Sequence, residues 1–162
     1  GINSLVRLGI GVYGMWPSPD IKKIYENKIK IKPILSWKTK IAQIKILPTG
    51  STIGYGLTYT TKEKTKIAII PQGYADGFYR DFSNNGEVLI GGTRCKVLGR
   101  VSMNMFAVNV NHLLKVKIED DVVILGRQNK NEILAEELAL KFGTINYEIT
   151  TRINSLLPRI VS

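Results

Sequence analysis

From about Lys30 onward, apolar residues come in short runs that glycine, proline or a polar residue soon stops. Lys66-Ile67-Ala68-Ile69-Ile70 ends at Pro71, and Glu87-Val88-Leu89-Ile90 meets Gly91-Gly92 before Arg94-Cys95-Lys96-Val97-Leu98. Met105-Phe106-Ala107-Val108-Asn109-Val110 and Asp121-Val122-Val123-Ile124-Leu125-Gly126 are two more. Runs this short fit strands, and a Gly-Gly step between two of them signals a hairpin. Ser36 to Ile46 alternates apolar and polar over much of its length and reads as one further strand, turned by Pro48-Thr49-Gly50-Ser51. Many short strands with Gly/Pro turns predict a mainly β fold, a small barrel or sandwich. One helix stands out. Asn131 can cap it, Glu132 to Phe142 follow, and Lys141 and Gly143 mark its end. Ile133, Leu134, Leu138 and Phe142 fall near one face by helical spacing and read as core.

The first 30 residues differ. Val6-Arg7-Leu8-Gly9-Ile10-Gly11-Val12-Tyr13-Gly14 reads as a short strand entering a glycine-rich turn, and Trp16-Pro17-Ser18-Pro19-Asp20 as a loop. Ile21 to Asn27 suits a short helix with Asp20 as cap. These pieces cannot bury a core alone, so the segment is expected to complete a neighbouring domain. The chain lacks a start methionine and is expected to begin inside a longer protein or behind a removed tag.

With 162 residues and 44% hydrophobic content, the chain has the size of one domain, or one domain with a fragment of another. No run of about 18 apolar residues points to a membrane helix. A single cysteine, Cys95, rules out an internal disulfide and suits a cytoplasmic setting. One Cys and one His make a soft-ligand metal site unexpected, and His112 reads as a surface histidine. The net charge of +10 raises the question of an anionic partner. The lysines, however, are scattered among isoleucines rather than grouped with aromatics, which suits a solvated basic surface and no nucleic acid.

Two tyrosines sit between or beside glycines, in Ile53-Gly54-Tyr55-Gly56-Leu57-Thr58-Tyr59 and Pro71-Gln72-Gly73-Tyr74-Ala75-Asp76-Gly77. Glycine lets other groups approach the backbone closely, and a phenol with a perturbed pKa can move a proton. Gly73 to Arg80 combines a phenol, a carboxylate and a guanidinium, readable either as a small-molecule site or as an Asp-stabilised turn beside an exposed Arg. Gly99-Arg100-Val101-Ser102-Met103-Asn104-Met105 is a polar interruption between two apolar strands. Tyr147, in Thr144-Ile145-Asn146-Tyr147-Glu148, follows the helix and can be read as a core residue.

As an ordered set, Val6-Arg7-Leu8-Gly9-Ile10, Tyr13-Gly14, Ile53 to Tyr59, Gly73 to Gly77, Gly99 to Met103 and Ile145 to Glu148 resembles the C-terminal part of alanine racemases. The resemblance runs across nearly the whole chain and includes Pro158-Arg159 near its end. It implies a small β-barrel or Greek-key-like domain over residues 31–162. Residues 1–30 would be the end, with the last strand, of a (β/α)8 barrel that carries pyridoxal 5′-phosphate on a lysine outside this chain. It also implies a bacterial, cytoplasmic homodimer that supplies D-alanine for peptidoglycan.

The resemblance further implies roles. Tyr55 matches a tyrosine base supplied across a subunit boundary, opposite the cofactor lysine. A free phenol titrates near 10, so such a base needs neighbouring cations or donors. Arg7 matches an arginine on the cofactor's pyridine nitrogen. Gly9 and Ile10 match backbone donors to its phosphate, which Tyr147 also reaches. Met103 matches the residue whose backbone N–H holds the substrate carboxylate. Tyr74 matches the inner entrance, with Arg80 and Arg100 further out. Asn104 departs from the usual aspartate, and Phe78-Tyr79 from the usual Tyr-Pro. The chain alone is expected to be inactive. Serine racemases of the same family share much of the pattern, and a basic nucleic-acid-binding β-barrel is the competing class.

Overall fold

The short runs become strands because each pairs with a distant one, and the pairings form a single antiparallel wall. The computed structural model describes residues 5 and 7–161. In chain order these contain α1 (Pro19–Tyr25), β1 (Trp37–Lys40), β2 (Gln43–Leu47), β3 (Thr52–Ile53), β4 (Tyr59–Thr60) and β5 (Thr65–Ile70). Then follow β6 (Glu87–Ile90), β7 (Thr93–Leu98), β8 (Phe106–Asn109), β9 (Asp121–Gln128), β10 (Asn131–Ile133), α2 (Ala135–Phe142) and α3 (Asn146–Thr151). The main sheet runs β1-β9-β6-β7-β8-β5-β2, with β10 added on β9, while β3 and β4 pair separately.

The two ends of that path, β1 and β2, are consecutive in the chain. The expected single strand over Ser36–Ile46 breaks at Ile41-Ala42, where the backbone changes partner. Ile41 N–H donates to Asp120 O at 3.0 Å beside β9, whereas Ala42 N–H donates to Ile69 O at 3.0 Å in β5. Ile41 is fully buried at this corner. One bent segment thus bridges both ends of the sheet and curls it towards a barrel, with β1 paired to β9 and β2 to β5.

The wall is apolar on both faces. Ala68 of β5, Val108 of β8 and Val97 of β7 lie in one paired row and face the main core. One residue along, Ile69, Ala107 and Leu98 form the next row and face outward. Because side chains alternate along a strand, this outer row needs its own cover. It is supplied by Ile53 and Tyr59 of the β3–β4 hairpin, which join Ile67, Leu98 and Ala107 in a second apolar cluster. Burying a side chain of that size contributes about 1.5–3 kcal/mol.

Three local expectations change. No strand forms among the described residues of the first segment, whose Val6 lies outside them; Ile10–Tyr13 is instead a turn of 3₁₀ helix. A strand needs a ladder partner, and no strand of the barrel pairs with it. The helix starts at Ala135 rather than Glu132, because Asn131–Ile133 pairs with β9 as β10. Asn131 donates its side-chain amide to Gly92 O at 2.7 Å, and Ile133 is fully buried, so tertiary pairing overrides helix propensity. Ser18, not Asp20, caps α1, accepting from Ile21 N at 3.2 Å. Gly143 ends α2 in the left-handed region, as its sequence suggests. Leu138 is buried, with Phe142 packed against the same core. Among the described residues no helix is long and apolar enough to cross a membrane.

Arg94 of β7 binds α2 to the hairpin. Its guanidinium meets both oxygens of Glu137 at 2.5 and 2.8 Å and reaches Glu87 at 3.1 Å. Ile10 and Met15 of the first segment are buried in the same core as the barrel strands.

Cys95 is fully buried on the inner face of β7. Burial, with a smaller contribution from Glu87, pushes its thiol up from 9.0 to about 12. In native protein at pH 8 it should fail to react with a thiol reagent and become reactive only on unfolding, as read by colorimetric titration. The folded value exceeds the unfolded one, so the neutral thiol's contribution to stability is intact below pH 9 and is lost as pH rises towards 12. Rapid labelling of the native protein would contradict the burial.

Candidate active site

Tyr55 rides on the hairpin that covers the outer apolar row. Gly54 and Gly56, with φ of 76° and 70°, bend the chain tightly on either side of it. Tyr55 is 73% exposed. The loop bearing it is nevertheless clamped from below. A β-carbon on Gly54 would lie 2.6 Å from Arg100 N, and one on Gly99 would lie 2.4 Å from Ile53 O. Backbone thus rests on backbone, an approach that only glycine allows. Asn84 fastens the same contact from the side. Its amide donates to Thr58 Oγ1 at 3.2 Å, and its carbonyl accepts from Gly99 N at 2.6 Å. The Arg100 side chain runs beside the loop, with Nε 3.4 Å from where a Gly56 β-carbon would be.

A second pair of loops continues from Arg100. Ser102 O accepts from Tyr74 N at 3.1 Å and Met103 O from Ala75 N at 3.0 Å. A β-carbon on Gly73 would collide with both carbonyls, at 2.3 and 2.2 Å. Asp76 turns out to serve this turn, accepting from Gly73 N at 2.8 Å. Tyr74 and Met103 keep exposed side chains. The Met103 N–H has no acceptor among the described residues. Tyr74, Tyr79, Arg80 and Arg152 line one open depression. Arg152 stacks over the Tyr79 ring at 4.7 Å, and burial raises the Tyr79 phenol above its ordinary value despite that cation. Phe78 is not at the surface. It is 1% exposed and stacks between Phe82 and Phe106, which removes it from any entrance.

Arg7, Gly9 and Ile10 lie on the first segment and Tyr147 on α3. Arg7 and Gly9 are exposed, and Ile10 opens the 3₁₀ turn with its side chain in the core. Tyr147 lies near the start of α3, a helix the sequence did not suggest, and is 37% exposed rather than core. Beside it, Glu148 is held below the usual carboxylate range by the Thr144 hydroxyl, with help from Arg152. Among the described residues no hydrogen bond joins these four to the Tyr55 loop. The structure thus links Tyr55, Arg100, Met103, Tyr74 and Arg80 through neighbouring loops, whereas Arg7, Gly9 and Ile10 lie on the first segment and Tyr147 on α3, whose C-terminal Arg152 lines the same depression as Tyr74 and Arg80.

Asn84, Ser83 and Arg152 escaped the sequence reading. Asn84 adopts φ 57°, and Ser83 Oγ accepts from Val101 N at 3.0 Å, so Ser83-Asn84-Asn85-Gly86 anchors the Gly99–Val101 loop. That run of turn-forming residues was the signal available. Among the described residues no three of His, Cys, Asp or Glu converge as metal ligands.

The family model for the alanine racemase C-terminal domain matches residues 34–161. An alanine racemase of Leptospira interrogans is 42% identical over 161 residues, covering 97% of this chain and 41% of that protein. One of Halothermothrix orenii is 44% identical over 155 residues, covering 96% and 40%. The chain thus spans about two fifths of the length of these relatives. Among solved structures, alanine racemase from Bacillus anthracis with bound L-Ala-P superposes with a TM-score of 0.84 at 40% identity, covering 90% of this chain and 36% of that one. Alanine racemase from E. faecalis gives 0.83 at 32% identity, covering 95% and 40%.

The clamp under Tyr55 is testable without any substrate. Gly99→Ala forces a methyl group against the Ile53 carbonyl and a side chain into φ +74°. It should destabilise the domain by about 1–3 kcal/mol in urea unfolding. An unchanged midpoint would mean the two loops part freely.

Proposed function

Since the chain belongs to the alanine racemase family, whose C-terminal domain it carries, we propose that the parent protein is an isomerase interconverting L- and D-alanine with pyridoxal 5′-phosphate. On this reading residues 31–162 are the β domain and residues 1–30 the end of the cofactor-bearing barrel. The product D-alanine would serve peptidoglycan in a cytoplasmic, homodimeric enzyme. The observation that carries the reading is Tyr55, exposed on a loop whose backbone rests directly on that of Gly99-Arg100.

Racemisation takes a proton from one face of the α-carbon and returns one to the other. A single base cannot stand on both faces, so a second is needed opposite the first. Tyr55 suits the second role. It is well exposed, on a loop beside which the Arg100 side chain runs. A rigid mount matters because a reacting atom must be held near contact distance. The N–H of Met103, without an acceptor among the described residues, suits a substrate carboxylate. Arg100 and Arg80 would draw an anionic amino acid towards it.

The donors on the first segment and α3 fit the cofactor. Arg7 offers a guanidinium, Tyr147 a phenol, and Gly9-Ile10 the open start of a 3₁₀ turn, whose first N–H groups have no acceptor within the turn. A β-carbon on Gly9 would meet nothing within 4 Å, so the backbone there is approachable. Such a set suits a phosphate and a ring nitrogen. When bound, the cofactor supplies an electron sink for the pair left as the α-proton departs. A guanidinium holds its protons, so a ring nitrogen facing one would stay unprotonated and the sink weak, which limits side reactions.

Tyr55→Phe in the full-length protein should lower kcat by about 10²–10⁴-fold. Exchange of the α-hydrogen with solvent should fall much further for one enantiomer than for the other, as measured by NMR in deuterated water. Equal and unimpaired exchange from both enantiomers would refute a face-specific role. The preferred amino acid is checked by kcat/KM for alanine and serine. Alanine should lead, and a serine preference would move the protein to the serine racemases. The chain alone should not racemise, since the cofactor lysine lies outside it.

A further inference from the structure

Trp16 is pinned through its backbone from two helices at once. Its N–H donates to Glu136 Oε1 of α2 at 3.3 Å, and its carbonyl accepts from Asn146 Nδ2 of α3 at 2.9 Å. The same Asn146 nitrogen lies 3.5 Å from Glu136 Oε1, so the three residues form a closed knot. Asn146 is 6% exposed, and its partners are 130 and 10 residues away in sequence. A buried amide of this kind is costly unless it is bonded.

The knot joins the two segments that carry the arms of the proposed phosphate site. On one side, little slack separates Trp16 from Gly9 and Ile10. Val12 N donates to Gly9 O at 3.1 Å, Gly14 N to Gly11 O at 3.0 Å, and Ile34 N to Tyr13 O at 3.2 Å. Ile10 and Met15 are both buried in the core. A shift at Trp16 would therefore reach the Gly9-Ile10 amides. On the other side, Asn146 is the residue before Tyr147 in α3, so whatever holds its side chain also sets where the Tyr147 ring starts. Glu136 stands on α2, which Arg94 ties to the barrel through Glu137, and so provides a fixed reference.

We infer that Asn146 and Glu136 are positioning residues that set the spacing between the Gly9-Ile10 amides and the Tyr147 phenol. The inference rests on the cofactor reading above. On this inference both act through the groups they hold. Glu136 acts through one oxygen only, since its Oε2 is buried and has no donor among the described residues. The role is thus that of an acceptor, which a glutamine carbonyl can fill.

The test compares two ligands that differ only in the phosphate. Full-length apoprotein is titrated with pyridoxal 5′-phosphate and with pyridoxal, alongside thermal denaturation. Asn146→Ala and Glu136→Ala should weaken the phosphate-bearing ligand by about tenfold or more while changing pyridoxal by less than about threefold. Glu136→Gln should retain the phosphate preference. If Asn146→Ala does not fold, Asn146→Gln, which keeps an amide but moves it by one methylene, should show the same selective loss in smaller measure. Equal losses for both ligands would reduce the knot to a fold-holding device and overturn the inference, as would a phosphate preference that survives both alanine variants. An unaltered protein that binds both ligands equally would remove the cofactor reading itself, and the inference with it. The two failures are therefore distinguishable.

Discussion

The contact of bare backbone between Ile53-Gly54 and Gly99-Arg100 holds the candidate site together. Both sides of it are glycine, and a methyl group on either would collide with main-chain atoms. Through this contact the loop bearing Tyr55 inherits the rigidity of the loop that leads on to Met103, which in turn hydrogen-bonds the loop bearing Tyr74. Three segments far apart in sequence thus share one frame. Asn84 and Ser83 secure that frame from outside with side-chain hydrogen bonds to Thr58, Gly99 and Val101.

The barrel beneath explains why the frame can be rigid while its key side chains stay exposed. A strand whose two faces are both apolar must be covered on both. The inner face of β5, β8 and β7 is covered by the core, and the outer face by the β3–β4 hairpin. Tyr55 sits at the tip of that cover. The exposed phenol and the buried Ile53 are two residues apart, so the same hairpin that seals the wall presents the proposed base. Exposure here does not imply looseness.

The division of the proposed machinery into two groups has a physical counterpart. The Tyr55 group belongs to loops on the barrel wall. The Arg7, Gly9, Ile10 and Tyr147 group belongs to the first segment and α3, which meet through Trp16, Asn146 and Glu136.

Much of this was legible in the sequence. The short apolar runs, the Gly91-Gly92 hairpin and the helix stop at Gly143 follow from local chemistry, since turn residues and side-chain alternation act over a few positions. The tyrosines between or beside glycines, Tyr55 and Tyr74, marked the exposed loops for the same reason. What local chemistry could not reveal was decided by partners distant in sequence. Ser36–Ile46 bends at Ile41-Ala42 because its two halves pair with different strands. Asn131–Ile133 becomes a strand because β9 offers it a ladder and the core offers Ile133 a place. Phe78 is core because Phe82 and Phe106 enclose it. Asn84 and Asn146 matter because of what lies across from them. Sequence determines which residues can turn, alternate or expose a phenol; tertiary structure alone decides which backbones touch, because a hydrogen bond between residues 130 apart leaves no periodic trace in the chain.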